Sequence, residues 1–238
     1  MTKNECYTAF NIELDKIDSL QYPNFTDAEK AYFFDRAQEQ KIKTIVTGNN
    51  SAGTSFEQNQ KRMDDLRLLV VEATLPTVID PGTLSEKPNC YIADLTDLTT
   101  DLYMYTVGEE CTITYTDRIS HASVNKIQPI TECTANNYIM KVHDPLSPHL
   151  LHYNTAAPLR ITKGDIVELI SDGTYSVLNY VIRYIKQPTS FGTLLGTESP
   201  DFPTHVHSEL VKLAVNIALE SIESPRIQSY PIKVSEME

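Results

Sequence analysis

The sequence predicts an α+β fold, in which a β-rich, sandwich- or barrel-like domain is inserted into a helical bundle. Three observations support this fold class. Residues 1–69 carry helix-start signals followed by helical spacing of apolar residues. Residues 70–198 are rich in Val, Ile, Thr and Tyr and alternate as strands do. A helical pattern returns in residues 199–224 and completes the helical part, and residues 225–238 form an extended tail that either reaches across a neighbour or is disordered.

The N-terminal part contains three capping-box signals. The strings TKNE, TDAE and SFEQ each place Ser or Thr three residues before Glu or Gln, beginning at Thr2, Thr26 and Ser55. Each box predicts the N-terminus of a helix whose apolar residues follow at three- and four-residue steps. The turn-forming string TGNN, which starts at Thr47, ends the second helix, and the third helix is expected to continue to Val70.

Strands in the middle part are marked by alternation and by turn residues. The clearest strands are YMYTV, CTITYTD, PLRITKGDIVELIS and TYSVLNYVIRYIKQP. Asp172-Gly173, within ISDGTYSV, is a strong signal for a β-hairpin, and the strings DPGT from Asp80 and KGD from Lys163 are further turns. The pattern is poor between residues 117 and 154, where HDPLSPH (residues 143–149) is predicted to be a loop.

The last helix contains two apolar rows. A helix that is apolar around most of its girth must be buried on most sides. Two interpretations stay open: the helix is the central core helix of one domain, or it is shared between the subunits of an oligomer. The first row is the candidate helical core and consists of Val206, Leu210, Leu213 and Ile217. The second row is the candidate oligomer interface and consists of Val211, Val215, Leu219 and Ile222.

Two histidines at the start of this helix raise the question of a metal site. On a strand, His205, His207 and Glu209 would share one face. The following pattern is helical, with Pro203 at a first helical position and Pro225 as the stop. On a helix the two histidines point roughly 200° apart. One histidine and one glutamate are too few ligands for zinc, so the sequence predicts an ordinary helix N-terminus and no metal site.

Composition and charge narrow the class of function. The chain has 238 residues, an apolar content of 41% and a net charge of −12. This acidity argues against a protein that grips nucleic acid through its phosphates. The negative charge would suit the wall of a channel through which DNA slides, although a charge that keeps the protein soluble is the simpler explanation. The four cysteines form no CxxC pair and are expected to be reduced thiols. Neither a signal peptide nor a membrane-spanning stretch is predicted.

Signals for catalysis are weak. The eight glycines form neither a GxGxxG nor a P-loop motif, and no GxSxG elbow occurs. A group of histidines lies close in sequence beside Asp144, and a hydrolase that uses this loop with a metal is one hypothesis. Histidines on the surface of a loop are the simpler interpretation. The three histidines are His143, His149 and His152. The sequence therefore predicts no catalytic residue, no metal ligand and no cofactor.

The tyrosines of the predicted strands suggest an alternative function. Tyr175, Tyr180 and Tyr184 could line a carbohydrate site, although a half-buried sheet face explains them more simply. The alternative is therefore a β-sandwich binding module, for carbohydrate or protein, with helical flanks. It predicts a concave face that bears these tyrosines.

Four stretches of the chain carry a resemblance to a known family. They are the N-terminal helix followed by YPNFTDAEKAYFFDRAQEQKIKTIVTG, then QNQKRMDDLRLLVVEATL, then YVIRYIKQP, and last PDFPTHVHSELVKLAVNIALESIESPRIQSY. Together they resemble virion structural proteins of the crAss-like phages of gut Bacteroides, which form ring or collar layers between the portal and the tail. The loop VHDPLSPHLLHY matches that family only loosely.

The resemblance implies a structural function without catalysis. The chain would be a head-to-tail connector or portal adaptor that forms a cyclic ring, a dodecamer if it follows the symmetry of the portal. Such rings use head-to-tail contacts that close on themselves. Its partners would be its own copies, the portal protein and adjacent tail ring proteins, with DNA only as passing cargo in the ejection channel and no membrane. It would be made in the host bacterial cytoplasm and reside in the virion at the portal–tail junction.

Overall fold

A helical unit and a β-rich unit make up the chain, and the second interrupts the first in sequence. The helical unit comprises Met1–Val70 and Gln187–Glu238, and the β-rich unit comprises Val71–Lys186. The predicted α+β class with an inserted β-rich part is confirmed. Residues 187–198, predicted to belong to the β-rich part, group with the helices. The structure, a computed structural model, describes residues 1–17, 25–48, 56–80, 82–98, 102–152 and 154–221, so the predicted tail (225–238) lies outside the described residues.

A hydrophobic cluster joins three helices of the helical unit. Phe10, Phe34 and Ala214, from its first, second and last helices, are fully buried in this cluster. These helices therefore pack against one another, as their apolar stripes predict. A short fourth helix belongs to the β-rich unit. The helices are α1 (Lys3–Ile17), α2 (Asp27–Thr47), α3 (Gln60–Leu66), α4 (Tyr138–His143) and α5 (His207–Ser221).

Side-chain caps explain where the first two helices begin. At α2, Thr26 Oγ1 accepts the Glu29 backbone N–H at 3.4 Å, and Glu29 Oε2 accepts the Thr26 N–H at 2.8 Å. At α1, Thr2 Oγ1 accepts the Glu5 backbone N–H at 3.4 Å, and Glu5 Oε2 accepts the Thr2 N–H at 3.0 Å. Both predicted capping boxes are confirmed. The C-cap of α2 is Gly48, whose φ of 68° is the left-handed conformation common after helices.

The third helix is shorter than predicted. Ser55, the first residue of the third capping box, lies outside the described residues. A 3₁₀ turn at Phe56–Gln58 precedes α3, which is capped by Asn59: its side-chain oxygen accepts the Lys61 N–H at 3.0 Å. Val70, predicted to end the helix, begins the first strand instead. A β-branched residue followed by a second valine favours the strand.

The last helix begins later than predicted. Pro203, expected at a first helical position, precedes a turn in which the Val206 N–H donates to Pro203 O at 2.9 Å. The Leu210 N–H then donates to Val206 O at 3.0 Å, and α5 runs from His207 to Ser221. The predicted stop at Pro225 lies outside the described residues.

The β-rich unit contains two sheets. The four-stranded sheet has the order β1-β9-β4-β5, and the five-stranded sheet has the order β2-β3-β8-β7-β6. β6 and β7 are parallel, whereas β4 pairs antiparallel with β5 and β9, and β8 pairs antiparallel with β3 and β7. The strands are β1 (Val70–Pro76), β2 (Val78–Ile79), β3 (Cys90–Asp94), β4 (Tyr103–Thr116), β5 (Ser123–Pro129), β6 (Thr131–Glu132), β7 (Leu159–Lys163), β8 (Ile166–Ile170) and β9 (Tyr175–Lys186).

One hydrophobic cluster joins the two sheets into a sandwich. It includes Ile113 and Tyr180 from the four-stranded sheet and Leu169 from the five-stranded sheet. The alternation of inward- and outward-facing side chains on β9 is interrupted once along the strand. The register opposite β4 shifts at Leu178, which has no partner between the paired residues on either side. Because of this bulge, both Val177 and Tyr180 face the cluster.

The Asp172-Gly173 turn does not form the predicted hairpin. It connects β8 of one sheet to β9 of the other, so this prediction is wrong. The Asp172 carboxylate accepts the Thr174 N–H at 2.8 Å and the Leu151 N–H at 2.9 Å, which holds the chain as it crosses between the sheets. The KGD string does form a tight turn: Gly164 has a φ of 62° and joins the antiparallel pair β7 and β8.

Candidate functional site

The second apolar row of α5 lies inside the helical unit. Val211, Val215 and Leu219 have exposed fractions of 3%, 0% and 0%, and they pack in the cluster formed with α1 and α2. Ile222 lies outside the described residues. Side chains without exposed surface in the single chain offer nothing to a second copy. This corrects the prediction of an oligomer interface at these three positions, which are core residues of the chain itself.

The first apolar row of α5 is only partly core. Val206 and Leu210 are buried, whereas Leu213 and Ile217 are half-buried at the margin of the cluster. Two fully buried alanines, one turn apart, mark the centre of the buried face, which lies between the two predicted rows. These alanines are Ala214 and Ala218. Ala at a four-residue spacing is the sequence signal for this face, because a small side chain lets neighbouring helices approach closely.

A nearly buried ion pair occupies the start of α5. Glu209 Oε2 lies 2.7 Å from Lys41 Nζ of α2, and the Lys41 side chain is 6% exposed. Lys61 Nζ of α3 lies 3.7 Å from the other carboxylate oxygen of Glu209. This glutamate, considered above as a metal ligand, therefore pairs with both Lys41 and Lys61 and links α5 to α2 and α3.

The two histidines at this end of α5 have separate partners. His205 Nε2 lies 2.9 Å from Asp65 Oδ1, and His207 Nε2 donates to Phe202 O at 2.7 Å. Burial lowers the pKa of the His207 imidazole, which favours its neutral form. The Nε2 atom of each ring is engaged by a partner other than Glu209. Within the part of the chain that the structure describes, no group of three His, Cys, Asp or Glu residues is arranged to hold a metal ion.

The histidine-rich loop is fixed by its own hydrogen bonds. His149 is buried, with Nδ1 2.8 Å from Ser147 Oγ, and burial lowers its pKa. His152 Nε2 donates to Pro145 O at 3.1 Å. His143 is exposed at the end of α4. His149 and His152 bond to different local partners and His143 is exposed, so this geometry gives the hydrolase hypothesis no convergent acid–base or ligand set.

The tyrosines of β9 face the interior of the sandwich. Tyr175, Tyr180 and Tyr184 are at most 4% exposed. The Tyr175 hydroxyl donates to His149 O at 2.9 Å, and the Tyr180 hydroxyl donates to the Glu109 carboxylate. Burial also raises the pKa of both Tyr175 and Tyr180. The tyrosine-bearing carbohydrate face predicted for a binding module is therefore wrong.

Two loops of the β-rich unit display exposed aliphatic residues. Ile119 is 89% exposed in the loop between β4 and β5, and Leu146 is 86% exposed in the loop after α4. We call residues 117–122 and 144–152 the loop tip. Each aliphatic residue lies among turn-forming residues, in DRISHA and DPLSPH, and a lone apolar residue in such a string is the signal that sequence reasoning missed.

Hydrogen bonds hold the two loops of the tip together. Asp117 accepts the Ser120 N–H at 2.8 Å and the Asn154 side-chain N–H at 2.9 Å, so the turn is tied to the chain just after the second loop. These bonds lower the pKa of Asp117. A surface depression of about 500 Å³ lies between the loops and is lined by Arg118, Ile119, His152 and Asn154. The tip is thus an exposed surface whose backbone is held in place by hydrogen bonds.

Comparisons with known proteins point to one group. A family model described as phage tail ring protein 3/4 matches residues 1–226. The chain is also 24% identical over 236 residues to a protein named Ring protein 4/5 of Bacteroides phage crAss001, and the match covers 92% of each chain. The match includes both units. No helix in the described residues has the length and apolar character needed to cross a membrane.

Proposed function

The chain belongs to the phage tail ring protein 3/4 family, and we propose that it forms a head-to-tail connector or portal adaptor in the virion. As a family member it is a structural, ring-forming virion protein. The observation that carries the proposal is the family match over residues 1–226, which includes the helical segments and the whole inserted β-rich unit.

The ring is proposed to be cyclic and built from head-to-tail contacts. In such a ring each copy uses two different surfaces, and the contacts close when the rotation per copy divides a full turn. A dodecamer matches a portal of the same symmetry. The proposed partners are further copies of this chain, the portal protein and adjacent tail ring proteins, at the portal–tail junction.

Duplex DNA is proposed to pass through the ring without being held. The net charge of −12 supports this role, because like charge repels the phosphate backbone and prevents tight binding. No catalytic role is proposed. His149, His152 and Tyr175, which could carry chemistry, are engaged in the structural contacts described above.

The loop tip is proposed to contact a neighbouring protein of the assembly. Ile119 and Leu146 expose almost their whole side chains, yet the backbone around them is fixed by hydrogen bonds. An exposed aliphatic group on a preorganised loop buries apolar surface at a docking contact with little loss of conformational entropy. Nothing in the internal packing of the β-rich unit explains these two side chains.

The test is the assembly state of the full-length protein. Mass photometry and negative-stain electron microscopy of the purified chain, alone and co-expressed with the portal protein, should show closed rings with one copy number and a central opening. Mass spectrometry of purified virions should detect the chain as a structural component. A protein that stays monomeric under all these conditions and is absent from virions would overturn the proposal, and a specific glycan-array signal would favour the binding-module alternative.

A further inference from the structure

A groove lies on the outer face of the five-stranded sheet. Val167 and Leu169 of β8 face the cluster between the sheets, so Glu168 between them faces the opposite side. On that side the segment 82–88 and helix α4 form two walls around a volume of about 820 Å³. Ile161 and Glu168 lie among its lining residues. We call this the outer groove.

The walls of the outer groove are held in place. Asp80 accepts backbone N–H groups of Thr83 at 3.0 Å and Ser85 at 2.5 Å, which fixes the turn that leads into the first wall. On the other side, the Lys141 ammonium of α4 donates to Glu132 O of β6. The groove is therefore formed before any ligand binds, which reduces the entropic cost of binding.

The outer groove combines exposed apolar rims with two lysines, Lys87 and Lys163, and two glutamates, Glu86 and Glu168. Leu84 and Ile139 are 51% and 66% exposed on opposite walls. At the base, Lys87 Nζ lies 2.5 Å from the Glu168 carboxylate, which is 2% exposed, so this lysine is already neutralised. Lys163 is exposed and its Nζ donates only to the Leu84 carbonyl at 3.2 Å among the contacts of the described residues, so no carboxylate there neutralises it. The groove thus suits a peptide with an apolar face and an acidic end.

The C-terminal segment of this chain has that character. Residues 222–238 follow α5 and, if extended, span on the order of 50 Å. Tyr230, Ile232 and Val234 occur at every second position, and side chains at that spacing share one face of an extended segment. Glu236 and Glu238 follow them. The apolar face matches the rims of the groove, and the acidic end matches Lys163.

We propose that the outer groove binds residues 225–238 of a neighbouring copy of this chain. The inference rests on the proposed ring: a segment of one copy and a groove of the next are two different surfaces, as head-to-tail closure requires. Apolar residues of the segment cover Leu84 and Ile139, and its glutamates pair with Lys163. Each copy then donates one segment and receives one.

Engineered cysteines test this pairing directly. The four native cysteines are all buried, so an added surface thiol is the reactive one. Full-length protein carrying Ile139→Cys is mixed with full-length protein carrying Ile232→Cys and oxidised. We expect a covalent dimer in the mixture, at least fivefold more abundant than with either variant alone. Leu195→Cys, at a 65% exposed position in the helical unit, replaces Ile139→Cys in the control mixture and should give no such excess.

Two outcomes would overturn the inference. Equal dimer yields for Ile139→Cys and the Leu195→Cys control would mean random collision. A second outcome concerns the double variant Ile139→Cys/Ile232→Cys at high dilution. If its two cysteines form a disulfide within one chain, and the mixture of single variants gives no dimer, the segment lies in the groove of its own chain. If closed rings form but the specific dimer is absent, this inference fails while the proposed function stands. If neither rings nor dimers form, the proposed function fails as well.

A peptide measurement gives an independent readout. A fluorescein-labelled peptide of residues 225–238 should bind the chain truncated after Ser224, provided that circular dichroism shows the truncated chain to be folded. Leu84→Asp should weaken this binding at least tenfold by placing a carboxylate on the rim. Leu195→Asp is the matched control and should leave binding unchanged. Equal binding to both variants would contradict the groove as the binding site.

Discussion

Lys41 Nζ and Glu209 Oε2 lie 2.7 Å apart and link α2 to α5 through a nearly buried ion pair. Taking two charges out of water is costly, and their attraction offsets that cost only while both are present. The pair therefore fixes how two helices of the same core approach, and it makes either partner sensitive to substitution.

Glu209→Gln is expected to lower the free energy of unfolding by about 3 kcal/mol, because Lys41 would stay buried without its carboxylate. Urea denaturation followed by circular dichroism measures the loss. Lys43→Met is the control: its partner Glu39 lies 3.4 Å away and both side chains are about half exposed, so the change should be below about 1 kcal/mol. Equal losses in the two variants would contradict the importance of burial here.

Leu219→Ala is expected to cost about 2–5 kcal/mol, because this side chain is fully buried between helices. Ile217→Ala, at a half-buried position in the same helix, should cost less than about 1.5 kcal/mol. The same denaturation experiment compares them. If Ile217→Ala proved the more costly change, the buried face of α5 would lie on the first apolar row after all.

Ile119→Ser and Leu146→Ser should leave stability within about 0.5 kcal/mol of the parent, because neither side chain packs inside the chain. Both should reduce incorporation into rings or virions, since each removes apolar surface from the loop tip. Leu195→Ser, at another exposed leucine, serves as the control and should assemble normally. Normal assembly of the double variant Ile119→Ser/Leu146→Ser would show that the tip makes no contact that assembly needs.

The protein should lose stability as the pH falls from 7 toward 5. Burial lowers the pKa of His149 and of His207 in the folded protein. Below pH 6.5 the unfolded chain therefore binds more protons than the folded chain, which favours unfolding. Each of these two imidazoles lowers the free energy of unfolding by at most about 1.4 kcal/mol per pH unit. The loss stops once the pH is below the pKa of that imidazole in the folded protein. His149→Gln should flatten the pH dependence measured by urea denaturation at both pH values, whereas His143→Gln, at an exposed position, should not. An unchanged slope for His149→Gln would contradict this role.

Local signals in the sequence predict the structure correctly where that structure depends on neighbouring residues. The Thr26 and Glu29 capping box forms as predicted because both partners lie within one helical turn. Asp172-Gly173 also turns where the sequence indicates a turn. The turn does not encode which sheet the next strand joins, however. That choice depends on distant contacts such as the bond from the Leu151 N–H to Asp172.

The candidate contact surfaces were harder to predict from the sequence. Apolar periodicity on α5 shows that the helix is buried on most sides, but it does not distinguish core packing from a subunit interface, and Val215 proved to be core. Ile119 and Leu146 belong to no periodic pattern of apolar residues. Their exposure depends on the shape of two loops, which is set by bonds such as that between Asp117 and Asn154. Single apolar residues in irregular segments carry little signal until the fold is known.

The strand by which the chain enters the β-rich unit and the strand by which it leaves are neighbours in one sheet, β1 beside β9. This pairing has a consequence for the order of folding. A long unstructured connection between α3 and α5 would cost loop-closure entropy when the helices meet. Once β1 and β9 pair, the intervening chain is already closed, and the helices are joined by what is in effect a short connection. We therefore expect the inserted unit to fold early and to speed the closure of the bundle that surrounds it in sequence.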